Sequence, residues 1–107
     1  MLIRKGRTQP VKIQMERFET IEQAKETYAT EVAAIKEIGG YEEFDISAIG
    51  ATCYGTEIEI IFADKAKIRC TLGNIYDVVE SQSDQSKNSA EQIAIETMQK
   101  ILQKSSQ

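Results

Sequence analysis

Few side chains in this sequence could do chemistry, because histidine and tryptophan are both absent. Without an imidazole there is no histidine general base and no histidine-ligated metal. The two cysteines, Cys53 and Cys70, form no Cys-x-x-Cys pair that could hold zinc. We expect both thiols to be reduced and to lie in the core as small apolar groups. The sequence predicts no catalytic residue, no cofactor site and no metal site.

Pairs of carboxylates are the remaining candidates for acid–base chemistry. Glu57 and Glu59 are two residues apart, which on a strand places both carboxylates on one face about 6.5 to 7 Å apart. Some hydrolases use such a separation, but any exposed strand with alternating acids produces it. We interpret the pair as a solvated face opposite Lys67 and Arg69. The chain is therefore predicted not to be an enzyme.

Residues 50–55 combine small residues with side chains that end in polar groups. Gly50, Thr52 and Tyr54 are candidate ligand contacts, because a ligand can approach the backbone at glycine while the hydroxyl groups form hydrogen bonds. In the alternative interpretation Gly50 marks a bulge and Gly55 a turn between strands. A small-molecule-binding module that uses this segment is the alternative function.

Charge disfavours nucleic acid as a partner. Thirteen basic and seventeen acidic residues give a net charge of −4, so the overall field repels phosphate backbones. Between Glu16 and Asp64, twelve acids face three basic residues. Four of these acids lie on or just before the first predicted helix and are candidate contacts for a basic partner, although a solvated helix face would look the same: Glu19, Glu22, Glu26 and Glu31.

These observations favour a small regulatory or adaptor protein that binds another protein through this acidic face or through a sheet edge. An acidic mimic of nucleic acid that blocks a basic protein is a further alternative. No segment has the length of apolar sequence that a membrane span needs, and nothing resembles a signal peptide. We expect no membrane partner and a cytoplasmic location.

The hydrophobic pattern predicts the elements that would position these residues. Val11–Arg17 alternates as a half-buried strand, and Thr20 with Gln23 forms a capping box for a helix that Gly39 ends. The pattern then predicts strands at 44–54, 56–63 and 66–72, a short helix at 74–79, a polar connector at 80–89 and a last helix from Ala90.

Strand pairing can be predicted one step further. A loop over residues 63–65 places Ile60 beside Ile68 and Glu59 opposite Arg69. In such a meander a middle strand separates Cys53 from Cys70, which is too far for a disulfide.

The start of the last helix, Ser86-Lys87-Asn88-Ser89-Ala90, resembles the double-stranded-RNA-binding domain, in which a basic start leads into an alanine-rich final helix. The order helix, three strands, helix over residues 20–104 is similar as well. The resemblance implies RNA binding through lysines at this helix start. Here only Lys87 occupies that position, histidine is absent and the first helix is acidic.

The predicted fold is α+β, an antiparallel β-meander of about four strands with two long helices packed on one face. Its length, 107 residues, suits a single domain. Residues 10–107 would form this domain, and residues 1–9 a basic arm or an edge strand. An uncovered sheet edge would invite pairing with a second chain, so self-association into a homodimer is expected.

Overall fold

A computed structural model describes residues 11–44, 46, 50–60, 63–83 and 90–105. The elements along the chain are β1 (Val11–Arg17), α1 (Ile21–Ile38), β2 (Glu42–Phe44), β3 (Thr52–Ile60), β4 (Ala63–Leu72), β5 (Ile75–Ser83) and α2 (Ala90–Ser105). The fold is α+β, as predicted. The basic arm at 1–9 and connector residues 84–89, including Lys87, lie outside the described residues.

The five strands form one antiparallel sheet with the order β1-β5-β4-β3-β2. The prediction of about four strands is therefore close. Strands β2 to β5 form a meander, and β1 adds to the far side of β5. This arrangement puts β4 at the centre of the sheet and β1 at one edge.

The first helix begins and ends where the sequence predicts. The Gln23 N–H donates to the Thr20 hydroxyl at 3.1 Å, and the Gln23 side-chain oxygen accepts from the Thr20 N–H at 3.2 Å. This reciprocal pair is a capping box. At the other end Gly39 takes a φ of +74° and its N–H bonds to the Ile35 carbonyl, a conformation that glycine adopts without a steric penalty.

The prediction of a turn at Gly55 is wrong, because Gly55 lies inside the continuous strand β3. Its Cα partner on β2 is Phe44, and a Cβ at Gly55 would stand 2.5 Å from the Phe44 ring. Glycine is needed here because atoms of the Phe44 ring occupy the space that a side chain would fill. The predicted single strand over 44–54 is consequently two elements, β2 and the start of β3.

The short helix predicted at 74–79 is also wrong, because this segment belongs to β5. Leu72 pairs with Ile75 across a two-residue turn at Gly73 and Asn74, and Gly73 has a φ of +61°, which suits a tight hairpin turn. The Asn74 side chain donates to the Phe18 carbonyl at 2.7 Å. Strand β5 continues to Ser83, so residues 80–83 are not part of a connector.

Cys53 and Cys70 are joined by a disulfide, and our prediction of two reduced thiols is wrong. Since β3 extends through residue 55, it neighbours β4 directly, and Cys53 pairs with Cys70 across the two strands. Ile60 of β3 pairs with Ala63, so that residues 63–65 already belong to β4. The predicted loop at 63–65 is therefore wrong, and Arg69 lies opposite Tyr54 instead of Glu59.

The two helices cover opposite faces of the sheet, which corrects the prediction that both pack on one face. Met98 of α2 belongs to a core cluster with Ile68 and Cys70 of β4. Glu31 of α1 instead contacts Arg69, and successive strand residues point to opposite faces. Strand β5 is buried on both sides over residues 75–79, as expected for a strand covered on both faces.

The two helices differ in how much they bury. Among its described side chains α1 buries only Ala24, whereas α2 buries four: Ala90, Ala94, Met98 and Leu102. The main core therefore lies between α2 and the sheet.

Candidate functional site

The acids predicted as partner contacts lie in or just before α1. Glu19, Glu22, Glu26 and Glu31 are all exposed. Glu31 contacts its own protein, since its Oε1 lies 3.9 Å from Nε of Arg69. The other three remain available to a partner as predicted, and nothing in the fold tests whether one binds.

Of the predicted ligand contacts, Tyr54 lines a cavity of about 270 Å³ together with Ala51 and Gly55, whereas Gly50 and Thr52 are outside its lining. Gly50 and Thr52 are exposed, whereas Tyr54 is half-buried. The Tyr54 hydroxyl donates to the Glu43 carboxylate at 2.7 Å, and Lys36 stands 5.3 Å above its ring. Burial, and then this hydrogen bond, raise the pKa of Tyr54 to about 12. Tyr54 is therefore a structural hydrogen-bond donor between β3 and β2.

A cleft of about 340 Å³ lies between the C-terminal half of α1 and the sheet. Its sheet wall comes from alternate residues of three adjacent strands, and its other wall from α1 and the residues that follow it. The cleft is lined by the following residues: Ile35, Tyr41, Thr56, Ile58, Lys65, Ala66, Lys67, Arg69 and Glu80.

Arg69 is the most unusual residue of this cleft. Its exposed fraction is only 4%, and neither Nε nor Nη1 has a hydrogen-bond partner within the described part of the chain. The Glu31 carboxylate at 3.9 Å balances some charge but is too distant for a hydrogen bond. A buried guanidinium with unsatisfied donors is costly unless an acceptor is supplied.

Tyr76 lies beside this guanidinium, and Tyr28 lies near Tyr76. Burial raises the pKa of Tyr76 to about 12, and the positive charge of Arg69 opposes the rise. The Tyr76 hydroxyl makes no hydrogen bond of acceptable geometry to the described residues. Burial likewise raises the pKa of Tyr28. Both phenols stay neutral at physiological pH, so the positive charge of Arg69 is not cancelled by a phenolate.

The outer edge of β1 is the second unusual surface. All seven residues of β1 are exposed, and within the described part of the chain β1 pairs on one side, with β5. Val11, Ile13 and Met15 are 39%, 53% and 55% exposed and face the side of the sheet that α2 covers, because Ile13 pairs with Val79. An edge strand with an apolar face is unusual in a protein that stays alone in solution.

Asp77 is buried on the α2 side of the sheet, in the row that holds Cys70 and Met15. It is 0% exposed, and neither carboxylate oxygen has a hydrogen-bond partner among the residues described. Burial raises the pKa of this carboxyl above its ordinary value. The folded protein therefore binds the Asp77 proton more tightly than the unfolded chain does. As the pH rises from the pKa of the unfolded state through the higher pKa of the folded state, the free energy of unfolding falls.

We therefore expect Asp77→Asn to raise the free energy of unfolding at neutral pH by about 1 to 3 kcal/mol, because asparagine keeps the shape of the side chain and removes a charge that is costly to bury without a partner. At about pH 4 the gain should shrink, because the pH is then close to the ordinary carboxyl pKa of 3.8 and little of the cost of ionising the buried group remains. Urea unfolding at both pH values measures the difference, with the exposed Glu22→Gln as control. An asparagine variant less stable than wild type at neutral pH would contradict the prediction.

Sequence reasoning missed Arg69 and the cleft, because it paired this arginine with Glu59 on the sheet. The alternation of Lys65, Lys67 and Arg69 was the available signal for a basic strand face.

The described helices are not long and apolar enough to cross a bilayer. Comparison of the chain with protein-family models, curated proteins and solved structures found no match.

Proposed function

We propose that this protein is a non-enzymatic association module of regulatory or adaptor type, and that its β1 edge pairs with β1 of a second copy. The observation that carries the proposal is the exposed apolar row Val11, Ile13 and Met15 on an edge strand. Such a strand presents unpaired backbone N–H and C=O groups, which a second strand satisfies. Pairing between copies extends the sheet and covers the apolar row.

The sequence of β1 is complementary to itself in one antiparallel register. With Gln14 on a two-fold axis, Lys12 of one copy lies opposite Glu16 of the other, and Ile13 lies opposite Met15. The axis repeats each pair, giving two opposite-charge pairs and two apolar pairs. Each cross-strand pair contributes roughly 0.2 to 1 kcal/mol.

Neighbouring registers match less well. An axis at Ile13 leaves Lys12 opposite Gln14, so that Glu16 has no lysine partner within the strand. An axis at Met15 leaves Glu16 opposite Gln14 and sets Arg17 against Ile13. The Gln14 axis instead keeps the Lys12–Glu16 pairs and sets Arg17 against Val11 at the strand ends. Charge and apolar matching therefore favour the axis at Gln14. In that arrangement the apolar rows of both copies lie together on the α2 side of the sheet.

The proposal predicts a mass of twice 12.0 kDa in solution, with a register that charge exchange can test. Lys12→Glu should weaken the dimer roughly 10-fold, because it sets two like-charge pairs in place of two attractive ones. Adding Glu16→Lys should restore affinity, because the pairs are then reversed in sign. Analytical ultracentrifugation over a concentration series measures both constants.

Lys100→Glu is the matched control, since this lysine is exposed on α2. A monomer at all concentrations contradicts the proposal. A full chain that is monomeric while a variant lacking residues 1–9 is dimeric also contradicts it, because residues 1–9 would then cover the edge of β1 in the full protein. A dimer that is indifferent to Lys12→Glu would contradict the Gln14 register.

A further inference from the structure

The cleft beneath α1 combines a cationic wall with apolar sides. Lys65, Lys67 and Arg69 point from alternate positions of β4 to the same face of the sheet. Lys65 is paired with Glu80 at 3.5 Å. Lys67 lies in the middle row, between Thr56 of β3 and Glu80 of β5. Three basic side chains therefore stand against two acids here, Glu80 in the lining and Glu31 beside Arg69, in a chain whose net charge is −4.

The guanidinium of Arg69 supplies hydrogen-bond donors at this wall. The side chain is 4% exposed, lines the cleft, and leaves Nε and Nη1 without hydrogen-bond partners among the described residues. Guanidinium donors form their strongest hydrogen bonds with carboxylate and phosphate oxygens. Both nitrogens are buried, so an anion in the cleft reaches them only after a small shift of the Arg69 side chain or of α1, and it would then satisfy donors that the described residues leave unpaired.

The size and the remaining lining of the cleft limit the ligand. A volume of about 340 Å³ is at the lower end of the range for small-molecule sites. Ile35, Tyr41 and Ile58 supply an apolar surface next to the basic residues. Because α1 buries only Ala24 among its described side chains, the helix is not held by a continuous apolar core at this end.

We infer that the cleft between α1 and the sheet binds a small organic anion, a carboxylate or phosphate monoester attached to a short apolar body. Arg69 donates to the anionic oxygens, Lys67 adds charge, and Ile35 with Ile58 contacts the apolar part. This site is on the face opposite to the apolar row of β1, and its occupation does not require the proposed dimer.

The test is a titration followed by NMR amide shifts at constant ionic strength, with phenyl phosphate, benzoate and inorganic phosphate as probes. We expect saturable shifts at Ile35, Ile58 and Lys67, and tighter binding of the aromatic anions than of inorganic phosphate, because only the former contact the apolar wall. A preference between benzoate and phenyl phosphate identifies the anionic group. The cation benzylamine should not bind.

Variants assign the binding to this cleft. Arg69→Gln should weaken binding roughly 10- to 100-fold through loss of charged hydrogen bonds. Ile35→Glu introduces a negative charge into the lining and should abolish binding, and it decides the question if Arg69→Gln does not fold. Ile38→Glu is the matched control, because Ile38 is on the same helix, 71% exposed and outside the cleft lining.

Three results would overturn the inference. One is an absence of saturable shifts for every anion. Another is a set of shifts spread evenly over surface lysines such as Lys100, which indicates non-specific attraction. The third is unchanged affinity in folded Ile35→Glu.

Discussion

Reduction of the Cys53–Cys70 disulfide should lower the free energy of unfolding by about 3 kcal/mol, the loop-closure entropy of a crosslink of this length. The two cysteines are 17 residues apart in sequence. The bond joins adjacent central strands, which the ladder between β3 and β4 already holds in register. Most of its effect should therefore arise from the restricted unfolded chain.

Urea unfolding of oxidised and reduced protein measures this difference, and mass spectrometry establishes the redox state of each sample. The double variant Cys53→Ala, Cys70→Ala is the control, because reductant should not change its stability. Cys70 is fully buried and Cys53 is half-buried, so reduction of the native protein should be slow. Equal stability of the oxidised and reduced forms would contradict the entropic account.

The disulfide also changes the argument about location. Our expectation of a cytoplasmic protein was consistent with two reduced thiols. Stable structural disulfides are typical of oxidising environments and uncommon in the cytosol. The cysteine pair thus no longer supports that expectation.

Local signals in the sequence predicted several elements correctly. The alternation from Val11 to Arg17 predicts the bounds of β1, although the strand is exposed along its whole length and not half-buried as predicted. The Thr20 capping box with Gly39 matches the ends of α1. The apolar spacing from Ala90 matches the buried side of α2. Each of these signals is carried by residues a few positions apart, so it survives without knowledge of the tertiary fold.

The errors arose where a residue's role depends on a distant neighbour. Glycine is typical of turns, which is why Gly55 was predicted to form one. In the structure glycine is required there because the Phe44 ring on the adjacent strand leaves no room for a side chain. Misplacing that turn inserted a strand between the cysteines, and the loop predicted at 63–65 shifted the register, so that Arg69 was paired with Glu59. The candidate cleft was missed for the same reason. The Gly73–Asn74 pair is a local hairpin signal that should have outweighed a short helix.

The placement of the helices on opposite faces could not be predicted from periodicity. The apolar spacing of a helix shows which of its sides is buried, but not which face of the sheet it covers. Residues 75–79 of β5 are buried on both faces. A central strand of this kind permits one helix on each side, whereas a pattern with one polar face would have favoured both helices on the same side.

Met98→Ala should lower the free energy of unfolding by about 2 to 5 kcal/mol, the usual cost of truncating a large buried side chain. Met98 is 0% exposed in the cluster that α2 forms with Ile68 and Val79. Val32→Ala on α1 should cost less than about 1.5 kcal/mol, because Val32 is only half-buried and loses less apolar contact. Chemical denaturation measures both, with the exposed Gln99→Ala as a control on α2.

This difference between the helices bears on the proposed ligand site as well as on stability. A helix held by few buried contacts can adjust to a small molecule beneath it at little cost, whereas one held by a dense core cannot. If Val32→Ala were as destabilising as Met98→Ala, α1 would be packed as tightly as α2. Access to the Arg69 cleft would then require disruption of a core, and the inferred anion site would lose its route of entry.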